Sequence, residues 1–333
     1  MDDKKTGIRQ NLTNYGDLGF STFLRKSFIK GLGYSDEMLD KPIVGIINTF
    51  SNYNSCHGNV PDLIQSLRAG VLAKGAIPLE FPTISVHEAF TYPTSMYLRN
   101  LMAMDTEEMI RAQPMDSCVL VGGCDKTVPA QLMGALSVDM PIVQLVTGPM
   151  LTGSHRGERV GACTDCRRLW AKFRAEEIDQ VEIAEANNQL VPTVGTCGVM
   201  GTASTMAMIA ETLGLMPPDS SCAPAVSSER RRIAEFTGEI AVEIATLKRR
   251  PSSILSAKSF ENALIVLLAI GGSTNGLVHL TAIAGRMGIQ LDMDSFDALS
   301  RDIPVIVDLK PSGEGYMEDL HKAGGLPRIL MEL

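Results

Sequence analysis

Ser117-Cys118-Val119-Leu120-Val121, then Gly122-Gly123-Cys124-Asp125-Lys126, then Thr127-Val128-Pro129-Ala130-Gln131-Leu132-Met133-Gly134, is the stretch from which the fold can be read. Five residues with an apolar centre suit a strand covered on both faces, and the glycine pair ends it. Helical periodicity takes over from Pro129 to Ser137, with proline where a first turn tolerates it. The same strand-then-helix pattern extends outward. Ile43 to Ile47, Ile77 to Phe81 and Ile142 to Val146 are further strand-like runs, with helical spacing at Pro61 to Ala73 and Met96 to Arg111. Such alternation predicts an α/β fold: a three-layer αβα arrangement with a mostly parallel sheet. From Cys166 the pattern turns mainly helical, at Arg167 to Glu177, Val181 to Leu190, Thr202 to Leu213, Glu229 to Arg249 and Phe260 to Ala269. A late strand is expected at Val305 to Val307, and Pro217 to Ser228 reads as a loop.

The 333 residues are 45% hydrophobic and 20% charged, a globular composition. A net charge of -8 argues against a nucleic-acid surface. The one basic run, Arg230-Arg231-Arg232, falls in a helical pattern and reads as a solvated face. No apolar stretch is long enough to span a membrane and the first residues do not resemble a signal peptide, so a cytoplasmic protein is expected. Its seven cysteines then read as thiols or metal ligands rather than disulfides.

In parallel sheets ligands collect beyond the carboxyl ends of the strands. Cys56, Glu88 and Cys124-Asp125-Lys126 each follow a different strand-like run, so all fall on one sheet edge. Cys56, Cys124 and Cys197 stand among glycines and small polar residues, which let backbone approach a bulky inorganic cluster. Three thiolates would leave one iron position open, making an iron-sulfur cluster a Lewis acid rather than an electron carrier. Zinc and plain core thiols are the alternatives, but spacings of about 70 residues are unlike the short pairs of zinc modules. The carboxylates of Glu88 and Asp125, beside Lys126, suit Mg²⁺. Cys163-Thr164-Asp165-Cys166 has redox or zinc spacing but no second pair, and is read as incidental. Cys118 reads as core, and His57 and His279 as structural hydrogen-bonding residues. The glycine patterns at Gly195 to Gly201 and Gly271-Gly272 lack the order of nucleotide-binding loops.

Cys124-Asp125-Lys126, two residues, Pro129-Ala130, three residues, Gly134 resembles a signature of the IlvD/Edd dehydratases. The resemblance runs from Arg9 to Gly324-Gly325-Leu326-Pro327 and includes Gly271-Gly272-Ser273-Thr274-Asn275 with His279. It implies dehydration of a 2,3-dihydroxy carboxylic acid to a 2-keto acid, with an iron-sulfur cluster on Cys56, Cys124 and Cys197. By the same resemblance Glu88, Asp125 and a carbamylated Lys126 bind Mg²⁺. Gly148-Pro149-Met150, His155 to Gly161 and the Gly195-Thr196-Cys197 loop look most like the sugar-acid (aldonate) branch. That branch implies a pentonate substrate and favours [2Fe-2S], with [4Fe-4S] as the alternative.

The family's base, a serine, belongs to a carboxy-terminal β-barrel domain with no counterpart in residues 1–333, so no catalytic residue is assigned. The last residues, Gly325 to Leu333, start a fresh helical pattern, and the chain reads as an amino-terminal domain of something longer. Poor turnover by this chain alone is therefore expected. Family members suggest a homodimer or homotetramer. A dihydroxyacid dehydratase of branched-chain synthesis, or a non-catalytic association domain, are the competing readings.

Overall fold

The computed structural model describes residues 6–12 and 15–333. The central sheet comprises β1 (Ile43–Asn48), β2 (Ile77–Pro82), β3 (Ser117–Val121) and β4 (Ile142–Leu145), ordered β2-β1-β3-β4 and parallel throughout. All four expected strands are present. Helices α1 (Leu18–Lys30), α2 (Asp36–Leu39), α3 (Val60–Ala73), α4 (Arg99–Ala112) and α5 (Thr127–Val138) belong to this half.

Alternation along the strands divides the core. Val44, Ile46, Val119 and Val121 pack with Val60, Leu63 and Leu67 of α3 on one face, whereas Ile43, Ile47, Cys118 and Leu120 pack with Met102 of α4 and Leu132 of α5 on the other. Cys118 is fully buried, and desolvation pushes its thiol far above the ordinary range, as befits a core residue.

After β4 the chain forms a short hairpin of β5 (Gly153–His155) and β6 (Glu158–Val160). Arg156 and Gly157 both take positive φ at its turn, as two-residue hairpin loops require. Next come α6 (Thr164–Arg174), α7 (Gln180–Asn187), α8 (Thr202–Thr212), α9 (Ser228–Leu247), α10 (Ala257–Ala269), α11 (Thr274–Arg286), α12 (Met293–Ser300), α13 (Met317–Lys322) and α14 (Gly325–Glu332). Among the described residues no helix is long and apolar enough to cross a membrane.

Two expectations are corrected here. Val305 to Val307 forms no strand: the Ile306 N–H donates to the Ala269 carbonyl at the end of α10, so no neighbouring strand offers a ladder. Arg230 is not solvated. Burial lowers its pKa to about 10, and its guanidinium donates to the Ala223 carbonyl, while Arg231 and Arg232 are exposed.

Helices α3 and α9 cover one sheet face and touch through glycine. A Cβ on Gly70 would lie 2.0 Å from the Glu235 carbonyl oxygen. Gly70→Ala would gain about 1 kcal/mol of helix propensity. Overpacking against a backbone atom costs roughly 1–3 kcal/mol, so a net loss of stability is expected. A denaturant midpoint equal to or above wild type would show that the helices separate freely.

Candidate active site

The site lies where the strands end. Cys56 sits on a 3₁₀ turn, Ser55–His57, between β1 and α3. Glu88 opens another such turn beyond β2, and Cys124-Asp125-Lys126 joins β3 to α5. The Cys197 loop is added alongside the extension of β4: Thr196 N–H donates to the Gly148 carbonyl at 2.9 Å, and Met150 N–H to the Thr196 carbonyl at 2.8 Å. Gly195 N–H also donates to the Ser55 carbonyl at 3.2 Å, tying this loop to the Cys56 turn.

His57 fastens the first loop to the third. Its Nε2 accepts from the Gly123 and Cys124 amides at 3.0 and 3.1 Å, which leaves Nδ1 to donate to the Thr49 carbonyl at 2.8 Å. Burial lowers its pKa to about 4, so the ring is neutral and structural. Gly123 is required for the close approach: a Cβ there would lie 1.9 Å from Thr147 Oγ1.

The sulfurs lie close enough to shift one another. The thiol of Cys56 falls to about 6 and that of Cys124 rises, each chiefly through the other. Cys163 and Cys197 stand with their sulfurs 3.5 Å apart, and the contact lowers Cys163 to about 7 and raises Cys197. The nearby Cys56 thiol raises the pKa of His87. Among the described residues, no three His, Cys, Asp or Glu side chains are closed to metal-coordination geometry.

Beside the sulfurs lies a hard-donor set. Lys126 Nζ is buried, 2.5 Å from Asp125 Oδ2 and 3.9 Å from Glu88 Oε2. Burial raises the pKa of Glu88, but hydrogen bonds from Ser95 and Thr94 outweigh it and hold the carboxyl below its ordinary value. Cys124 Sγ lies 3.5 Å from Asp125 Oδ1, so the soft and hard sets adjoin.

The Gly271-to-Asn275 segment acts as support. Ser273 caps α11 and meets Thr202, the first residue of α8, at 2.7 Å, so the helix after the Cys197 loop is braced. Further along α11, buried His279 accepts from Arg99 at 3.0 Å through Nδ1. Burial, then Arg99 and Lys126, lower its pKa from 6.5 to about 3. An unfolded-state histidine protonates first, so its stabilising contribution is complete above about pH 6.5 and declines as pH falls toward 3. Between pH 6.5 and 5 the loss is roughly 2 kcal/mol. His279→Gln should remove that part of the acid sensitivity in urea titrations; an unchanged pH slope would contradict it.

Cys163 is the site residue that sequence reasoning missed. Its C-x-x-C pair divides: Cys166 packs with Leu169, Ile183 and Leu190, whereas Cys163 faces Cys197. Small neighbours selected the other cysteine loops, and Gly161-Ala162-Cys163-Thr164 satisfies the same criterion. Cys222 is buried elsewhere, its thiol pushed up to about 12 by desolvation.

L-arabinonate dehydratase of Rhizobium leguminosarum bv. trifolii is 44% identical over 320 residues, 96% of this chain and 55% of that protein. D-xylonate dehydratase of Caulobacter vibrioides is 40% identical over 293 residues, 88% of this chain and 49% of that protein. A dihydroxy-acid dehydratase of Natronomonas pharaonis is 37% identical over 313 residues, 92% of this chain and 53% of that protein. The chain thus spans about half the length of the curated relatives it matches. Residues 41–333 match the dihydroxy-acid/6-phosphogluconate dehydratase N-terminal family, and to that family the chain belongs.

Proposed function

We propose that this chain is the cofactor-bearing part of a hydro-lyase that converts a 2,3-dihydroxy sugar acid, a pentonate first, to its 2-keto-3-deoxy acid. One observation carries the reading: three separate cysteine loops and the Glu88-Asp125-Lys126 set converge on one sheet edge. Soft thiols and hard carboxylates side by side fit two different metal groups. Cys56, Cys124 and Cys197 would hold the iron-sulfur cluster, preferably [2Fe-2S], and Glu88, Asp125 and carbamylated Lys126 would hold Mg²⁺. Bound there, these groups supply Lewis acidity toward the substrate's hydroxyls and carboxylate.

The chain's own residues prepare that site. Ser95 and Thr94 fix the Glu88 carboxylate in its charged form, and Asp125 meets the buried Lys126 amine. His57 holds the Cys56 and Cys124 loops in register. No side chain among residues 1–333 is assigned to removing the C2 proton; in this reading the base comes from the part of the relatives' length that residues 1–333 do not cover. A cytoplasmic homodimer or homotetramer accompanies this reading.

The sugar-acid reading is preferred to branched-chain synthesis because identity to the arabinonate dehydratase, 44%, exceeds the 37% to the dihydroxy-acid dehydratase. The test assays 2-keto acid formation from L-arabinonate, D-xylonate and 2,3-dihydroxyisovalerate, with the chain alone and fused to the carboxy-terminal half of the arabinonate relative. Turnover of pentonate by the fusion and little by the chain alone is expected. Preference for the branched acid, or full turnover by the chain alone, would contradict the reading.

A further inference from the structure

Three thiols suffice for the proposed cluster, yet a fourth stands beside them. Cys163 is 34 residues from Cys197 in sequence, and their sulfurs are 3.5 Å apart. The position is held firmly. Asp165, with no exposed surface, accepts from Gly161 N–H at 2.9 Å, Tyr316 Oη at 2.8 Å, Arg168 Nε at 3.0 Å and Lys310 Nζ at 3.1 Å. Ala162 N–H donates to the Leu190 carbonyl at 3.0 Å. The backbone on both sides of Cys163 is therefore fixed, and its thiol is exposed at the rim of the site.

The loops that carry the other thiols are tied to one another: His57 Nε2 accepts from the Cys124 amide, and Gly195 N–H donates to the Ser55 carbonyl. Four thiols match the all-cysteine ligand set of a two-iron cluster. A three-thiol cluster would leave one iron position vacant, and Cys163, its sulfur 3.5 Å from that of Cys197, is the thiol placed to reach it.

We propose that Cys163 is a fourth, displaceable ligand of the cluster site, closing the vacant position when no substrate is present. This rests on the cluster reading above. The exchange transfers no electrons: the released sulfur leaves as thiolate and takes one proton from solvent. A closed position withholds the iron from water and oxygen, so the resting protein would be protected.

The test reconstitutes the chain with ferrous iron and sulfide without oxygen, comparing wild type with Cys163→Ser, Cys163→Ala and, as a neighbouring control, Cys166→Ser. Iron and sulfide content, the visible circular dichroism spectrum and the lifetime of visible absorbance in air are read, with thermal unfolding as the check of folding. All four proteins should hold iron. Both Cys163 variants should show a shifted spectrum and bleach several-fold faster in air than wild type and Cys166→Ser. Spectra and lifetimes equal to wild type would overturn the proposal while leaving the three-thiol cluster intact. Loss of iron from both folded Cys163 variants would make the thiol obligatory and overturn displacement. Absence of iron from wild type would overturn the cluster reading and this proposal together.

Discussion

Cys124→Ser protein, purified without oxygen, is expected to carry iron and sulfide only at background, while Cys222→Ser retains them. Cys124 begins the turn into α5, its amide is fixed by His57, and its sulfur lies 3.5 Å from Asp125 Oδ1. Losing a residue that merely orients a metal ligand typically lowers affinity about 10–100-fold, so losing a ligand itself should exceed that. Serine keeps the volume but offers a hard oxygen that is protonated at neutral pH. Cys222 packs with Met208, Val266 and Leu326, away from the site, and controls for loss of any buried thiol. Equal iron in both variants would remove Cys124 from the ligand set.

Asp165→Asn should produce the largest loss of stability. The carboxylate is fully buried yet receives Tyr316, Lys310, Arg168 and a backbone amide. Burial alone would raise its pKa, but these donors outweigh it and hold the group below its ordinary value. Breaking a buried ion pair costs roughly 3–5 kcal/mol. Lys310 and Arg168 are 15% and 36% exposed and can regain water, so the lower end, about 3 kcal/mol, is expected. In a chain of this size that is a fall in thermal midpoint of about 4 °C. Because the folded pKa is depressed, the contribution is complete above the usual carboxylate range near 4 and is lost as pH falls below it. The gap between wild type and variant should therefore close in acid. A gap independent of pH would indicate lost packing rather than lost charge.

The parallel sheet was legible because its strands are buried on both faces and read as short Ile and Val runs, each followed by helical spacing. The ends of those runs put Cys56, Glu88 and Cys124 to Lys126 on one edge from sequence order alone. Val305 to Val307 has the same composition, but local propensity carries no information on whether a neighbouring strand exists. The turn at Arg156-Gly157 was passed over because a three-residue strand is too short to show alternation. Arg230 was misread because a run of three arginines looks uniform, whereas helical geometry turns only one of them inward. The C-x-x-C spacing, read as incidental, is no local pair, for the fold sends its two thiols to different places; the approach of Cys163 to Cys197 is a tertiary contact that spacing does not show.

Iron and acid-labile sulfide content, with the visible spectrum, of wild-type chain purified without oxygen tests the central claim most directly. Near-stoichiometric cluster in a cooperatively folding protein is expected, because the loops bearing Cys56, Cys124 and Cys197 are fastened to one another within this chain. A folded chain with neither iron nor sulfide, even after reconstitution, would contradict the account.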